Sequence, residues 1–188
     1  MKEKHIKIFS YTLALVLFVL FFVAPQDNDI NIEKVRFDAT SSALLRFKNV
    51  RMYFYEVKEY KKERQTIYKF KNQIALKDTL PMIHFSILHH IATDQFYILP
   101  QFSNFFENLE DTPIKIKSNN LSDTIYYQSG EIEKTWSFSA QIFNALNKDD
   151  SDFYAIKDGK EFPMFKNLRE RKQVQIALKD YFTLTKKY

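Results

Sequence analysis

Glycine occurs twice in this chain of 188 residues, and cysteine does not occur at all. Two glycines cannot complete a G-x-G-x-x-G dinucleotide loop, and no G-x-x-x-x-G-K-[ST] or G-x-S-x-G stretch is present. Without cysteine there is no disulfide scaffold, thiol nucleophile, iron–sulfur cluster, Cys-containing zinc site or lipid-modified cysteine anchor. Concentrated charge of one sign is also missing. Lys and Arg number 28 against 23 Asp and Glu, a net +5. Lys2, Lys4 and Lys7 against Glu3 place +2 of this in the first 26 residues. Elsewhere acid and base alternate, as in Lys58-Glu59-Tyr60-Lys61-Lys62-Glu63-Arg64. Such mixing reads as a solvated surface, whereas a phosphate-tracking stripe needs clustered cations. No nucleic-acid partner is therefore expected.

What is abundant is aromatic carbon. Phe (19), Tyr (11) and Trp (1) supply 16% of the chain, within a hydrophobic content of 45%. That content argues for a packed core rather than disorder. The length allows one globular domain once an apolar N-terminal segment is set aside.

Residues 1–7 form a basic leader, and residues 8–24 carry no charge. As a helix this run extends about 25 Å at ~1.5 Å per residue, which reaches the lower limit for crossing a bilayer. It is longer than the usual apolar region of a cleaved signal, roughly 7–15 residues. Phe22 and Pro25 flank Ala24 where a small-x-small cleavage site is wanted. The segment therefore reads as an uncleaved signal anchor, with secretion or periplasmic release after cleavage as the alternative. Lysines before it, with Asp27 and Asp29 after it, predict a cytoplasmic N-terminus and a domain outside. The expected layout is a leader (1–7), a transmembrane anchor (8–24), a linker (25–31) and an extracytoplasmic domain (32–188). Lys, Asn, Ile and Phe enrichment with little Gly suggests an A/T-rich bacterial genome, hence the inner membrane.

Beyond the linker the pattern predicts an α+β domain of mainly antiparallel strands. Strands are expected at 30–37 (bulged), at 44–58 with a bend at Asn49, and at 66–70, the last two enclosing a charged hairpin tip. Further strands are expected at 82–91 and 96–99, with Pro100 ending the latter. Residues 114–117 read as another strand. Segments 124–128 and 131–136 flank Ser129 and Gly130, a hairpin signal. Segments 153–157 and 160–162 flank Asp158 and Gly159, a stronger one, because a type I′ turn needs positive φ at both central residues. Ser137 is placed to cap a short helix near 137–147, and Asn167 a C-terminal helix near 168–184 with Val174, Ala177, Leu178, Tyr181 and Phe182 as its stripe. The nearest competing architecture is an all-β sandwich with peripheral helices.

Chemistry-bearing residues are sparse. His84, His89 and His90 lie in one expected strand, where adjacent His89 and His90 face opposite ways and His84 stands about 20 Å from His90. No histidine pair has metal-ligand spacing. Asp149, Asp150 and Asp152 start like a calcium loop, but Tyr154 and Ala155 stand where an acid and a glycine are required. Glu131 and Glu133 would share a strand face, and paired carboxylates can cleave glycosidic bonds. Asn120 begins an N-glycosylation tripeptide with Ser122. Tyr126, Tyr127 and Trp136 gather about one expected hairpin and are the candidate ligand-binding residues, suited to stacking. No catalytic, cofactor or metal site is expected. The sequence thus predicts a membrane-anchored extracytoplasmic binding or scaffold protein, an accessory component of the bacterial cell envelope. Its partners would be the membrane, through residues 8–24, and another envelope or membrane protein. The alternative is an anchored hydrolase using histidine and carboxylate.

Overall fold

The computed structural model describes residues 29–106, 112–118, 121–148 and 150–185. The proposed anchor, residues 8–24, and Asn120 lie outside them. Among the described residues no helix is long and apolar enough to cross a membrane. The described residues form an α+β fold, with two four-stranded antiparallel sheets and three α-helices.

The first sheet is a meander, β1 (Tyr55–Tyr60), β2 (Gln65–Phe70), β3 (Ile83–His90) and β4 (Gln95–Phe102), in that order. β3 is its most buried strand, with Ile83, Phe85 and Ile87 buried on one face and His84 and Ser86 buried on the other. Pro100 does not end β4. It pairs with Phe85 inside the strand. β4 is an edge strand, and the N–H of Phe96 already turns away from β3 to the Phe37 carbonyl at 2.8 Å. Orientation alternates along an antiparallel strand, so position 100 also faces outward, where a missing N–H costs no ladder bond.

The second sheet contains β5 (Ile114–Ser118), β6 (Leu121–Ile125), β7 (Asp152–Lys157) and β8 (Lys160–Met164), in the order β6-β5-β7-β8. Its β7–β8 turn confirms the Asp-Gly expectation, with φ of 52° at Asp158 and 70° at Gly159. The strand expected at 124–128 starts earlier and ends at Ile125.

Three segments depart from the sequence reading. Residues 30–37 form no strand, and only Asp38 makes an isolated bridge, to Gln95. Most of the strand expected at 44–58 is a helical hook. α1 (Ser41–Arg46) runs into a π turn (Phe47–Arg51) and a 3-10 turn (Met52–Phe54). Thr40 starts it, since its Oγ1 accepts the N–H of Ala43 at 3.2 Å. This cap commits the next residues to helix before the aromatic alternation can act. Phe47 fixes the hook in the core, with its ring 5.3 Å from Tyr68 and 5.5 Å from Tyr55. Burying one such ring contributes about 1.5–3 kcal/mol.

The third correction concerns residues 129–136. Gly130 does not sit in a hairpin, and Ser137 caps nothing. Glu131 is the N-cap of α2 (Ile132–Leu146), so Glu131 and Glu133 share no strand face. The helical period runs back through Trp136, Ala140 and Phe143, all buried, and this stripe outweighs the local strand propensity. α3 (Leu168–Thr185) follows its expectation and packs on β3, β4 and α2. Asn167 Oδ1 accepts the N–H of Arg169 at 2.8 Å. Arg171 ties α3 to the end of α2 by donating to the carbonyls of Leu146, Lys148 and Ser151. These include carbonyls that a helix end leaves without partners.

Candidate functional site

The turn from β6 into α2 and the start of that helix carry the three candidate ligand-binding residues. Ile125 ends β6 facing the core, and the chain then passes through Tyr126 and Tyr127 to Gly130. Gly130 has φ of 85°, a conformation that side chains resist, and this bend lets α2 start at once. Tyr126 points outward and is 57% exposed. Tyr127 turns inward, its ring 4.8 Å from Phe102 and 5.4 Å from Phe138. Trp136 is buried one helical turn into α2, edge-on to Phe182 at 5.6 Å. Its Nε1 has no hydrogen-bond partner among the described residues.

Tyr127 and Trp136 border one groove of about 450 Å³, which Tyr126 does not line. That volume lies within the roughly 300–1,000 Å³ of small-ligand sites. The opposite wall is β4 from Tyr97 to Pro100, the outermost strand, with Leu88 and His90 of β3 and Gln65 of β2 beside it. One end of this edge is already covered by residues 37 and 38, through the Phe96–Phe37 bond and the Asp38 bridge. By strand alternation the backbone of Ile98 faces the groove. The site therefore offers aromatic and aliphatic walls and an edge-strand backbone. Sequence reasoning found two of its aromatic residues but missed the β4 edge, since nothing local marks which strand of a sheet lies outermost.

The histidines are dispersed. His84 is buried, and its Nε2 lacks a partner among the described residues. Burial, with Lys69 nearby, lowers its pKa to about 4, so it is neutral at pH 7. His89 stacks on Phe96 with ring centroids 4.2 Å apart, and its Nε2 lies 2.9 Å from the exposed carboxylate of Asp94. This pair does not line the groove. His90 and Glu131 do, but His90 bonds Thr93 at 2.9 Å and Glu131 bonds Lys134 at 2.7 Å. No cluster of three or more metal-ligating side chains occurs among the described residues.

A second polar constellation escaped the sequence reading. Arg51 donates through Nε and Nη2 to both oxygens of Asp180, at 2.8–3.0 Å, and Tyr55 donates to the same carboxylate at 2.8 Å. These bonds raise the Arg51 pKa, while burial first and the Asp180 charge second raise that of Tyr55. The partners lie 125 and 129 residues apart in sequence, so no spacing announces them. The one local sign is an acid beside Tyr181 on the apolar stripe of α3.

No family model matches the chain, and neither a curated protein nor a solved structure matches it.

Proposed function

We propose that the chain is a membrane-anchored extracytoplasmic binding or scaffold protein, an accessory component of a bacterial cell envelope. Residues 8–24 hold it in the inner membrane with its N-terminus in the cytoplasm, and the folded domain engages another envelope or membrane protein. The observation that carries this reading is the groove between β4 and α2. It joins the Tyr127 and Trp136 walls to an open strand edge. Exposed edges of this type take up extended segments of other proteins through main-chain bonds. Ile132, 55% exposed at its rim, adds apolar surface for such a partner. The hydrolase reading has less support, because the histidine and the acid that border the groove are bonded to other residues.

The absence of native cysteine makes the topology directly testable. A single cysteine at exposed Lys160, the first residue of β8, is then the chain's sole thiol. A membrane-impermeant maleimide should label Lys160→Cys in intact spheroplasts, and a thiol placed at Glu3 only after lysis. Labelling of Lys160→Cys only after lysis would reverse the orientation. Recovery of the thiol in the soluble periplasmic fraction would replace the anchor by a cleaved signal.

A further inference from the structure

We propose that the cavity between the helical hook and the C-terminal half of α3 is a binding site for a phosphate-bearing anion, separate from the groove. The cavity measures about 350 Å³ and is bordered by Arg46, Arg51, Lys179, Asp180 and Thr183. Three cations thus meet one carboxylate. That carboxylate is fully engaged, since Arg51 grips both of its oxygens and Tyr55 donates to it as well. Asp180 therefore offsets Arg51 and leaves the other two charges uncompensated. Neither the Arg46 nor the Lys179 side chain has a hydrogen bond or ion pair among the described residues. The Asp180 bonds use Nε and Nη2 of Arg51, which leaves Nη1 without a carboxylate partner.

The hook's unusual winding produces this convergence. Arg46 and Arg51 are five positions apart, which on an α-helix would set them about 140° from one another. The π turn closes on a bond from the Met52 N–H to the Phe47 carbonyl, one residue longer than an α turn, and so brings the two arginines toward one side. On α3, Lys179 and Thr183 are spaced i,i+4 and share a face, adding a hydroxyl donor to the cations. The C-terminal ends of α1 and α3 oppose an anion with about half an elementary charge each. Two uncompensated full charges outweigh them. A tetrahedral oxyanion matches the donors, because guanidinium and ammonium groups give charge-assisted bonds to phosphate oxygens.

The rim suggests two sources for the phosphate. Leu45, Val50, Tyr53 and Phe54 of the same hook are 61%, 55%, 79% and 40% exposed, and Arg51 lies 4.9 Å over the Phe54 ring. Exposed apolar groups next to cations are the pattern of surfaces that rest on lipid headgroups. A soluble phosphate would ignore them.

The test is calorimetric titration of the full chain in a neutral detergent, with inorganic phosphate and then with a short-chain phosphatidic acid, chloride replacing phosphate at equal ionic strength in the control. The wild type should bind phosphate. Arg46→Gln with Lys179→Gln should weaken binding about tenfold, and it leaves the Arg51–Asp180–Tyr55 network in place. The control pair Lys62→Gln with Lys160→Gln removes equal charge elsewhere and should bind as the wild type does. Tighter binding of the phosphatidic acid, reduced by Val50→Ser, identifies a lipid as the source. Equal binding of both probes identifies free phosphate. Absence of phosphate binding, or equal weakening by the test and control pairs, overturns the site.

Discussion

At the scale of single residues, His84 has the clearest consequence. Its folded pKa lies near 4, below the ordinary 6.5, so the unfolded chain takes up a proton first as pH falls. The stability tied to its neutral form is present above pH 6.5 and is lost between there and about 4. The shift corresponds to roughly 3 kcal/mol. His84→Leu should flatten this part of the stability–pH curve. Urea denaturation of both proteins at pH 7 and pH 4.5 checks it, and parallel curves would show that His84 carries no such load. Glycine also speaks at this scale. Gly159 was legible because a type I′ turn needs it. Gly130 was misassigned because Ser-Gly serves equally before a helix, and its neighbours Tyr126 and Tyr127 resemble a strand.

At the scale of elements, legibility followed the range of the deciding interaction. The β1–β2 and β3–β4 pairs, the β7–β8 hairpin and α3 were readable from periodicity and turn chemistry, which act over a few residues. The hook at 41–54 was not, because Thr40 capping and burial of Phe47 against Tyr55 and Tyr68 overrode the alternation of Val50, Met52 and Phe54. The tie between hook and α3 was invisible for the same reason. Asp180 is 10% exposed at its side chain and Arg51 30%. Removing the acid strands a partly buried guanidinium and the Tyr55 hydroxyl. Asp180→Ala should cost about 3 kcal/mol, the low end for a broken buried pair because Arg51 keeps some solvent. Tyr55→Phe should cost about 1 kcal/mol. Chemical denaturation measures both, and an Asp180→Ala loss no larger than that of Tyr55→Phe would mean that the pair does not hold the hook.

At the scale of the whole molecule, the chain leaves its first described residues pinned to the domain. Asn144 of α2 accepts the Ile30 N–H at 2.7 Å and donates to the Ile30 carbonyl at 2.8 Å, as a neighbouring strand would. Residue 30 is six positions beyond the proposed anchor, a span of at most about 20 Å. An anchored domain would therefore stand close to the bilayer, with restricted freedom to turn. The candidate groove was legible only as aromatic residues, since its other wall depends on which strand ends the sheet. Its occupancy decides the proposed role. A photo-crosslinking residue placed at Ile132, on the groove rim, can be compared in living cells with one at Lys160, at the start of β8. The groove reading predicts one reproducible adduct with another envelope or membrane protein at position 132. It also predicts none at 160, and loss of the adduct when Leu99→Arg obstructs the β4 wall. Equal labelling at both positions, or an adduct indifferent to Leu99→Arg, would contradict it.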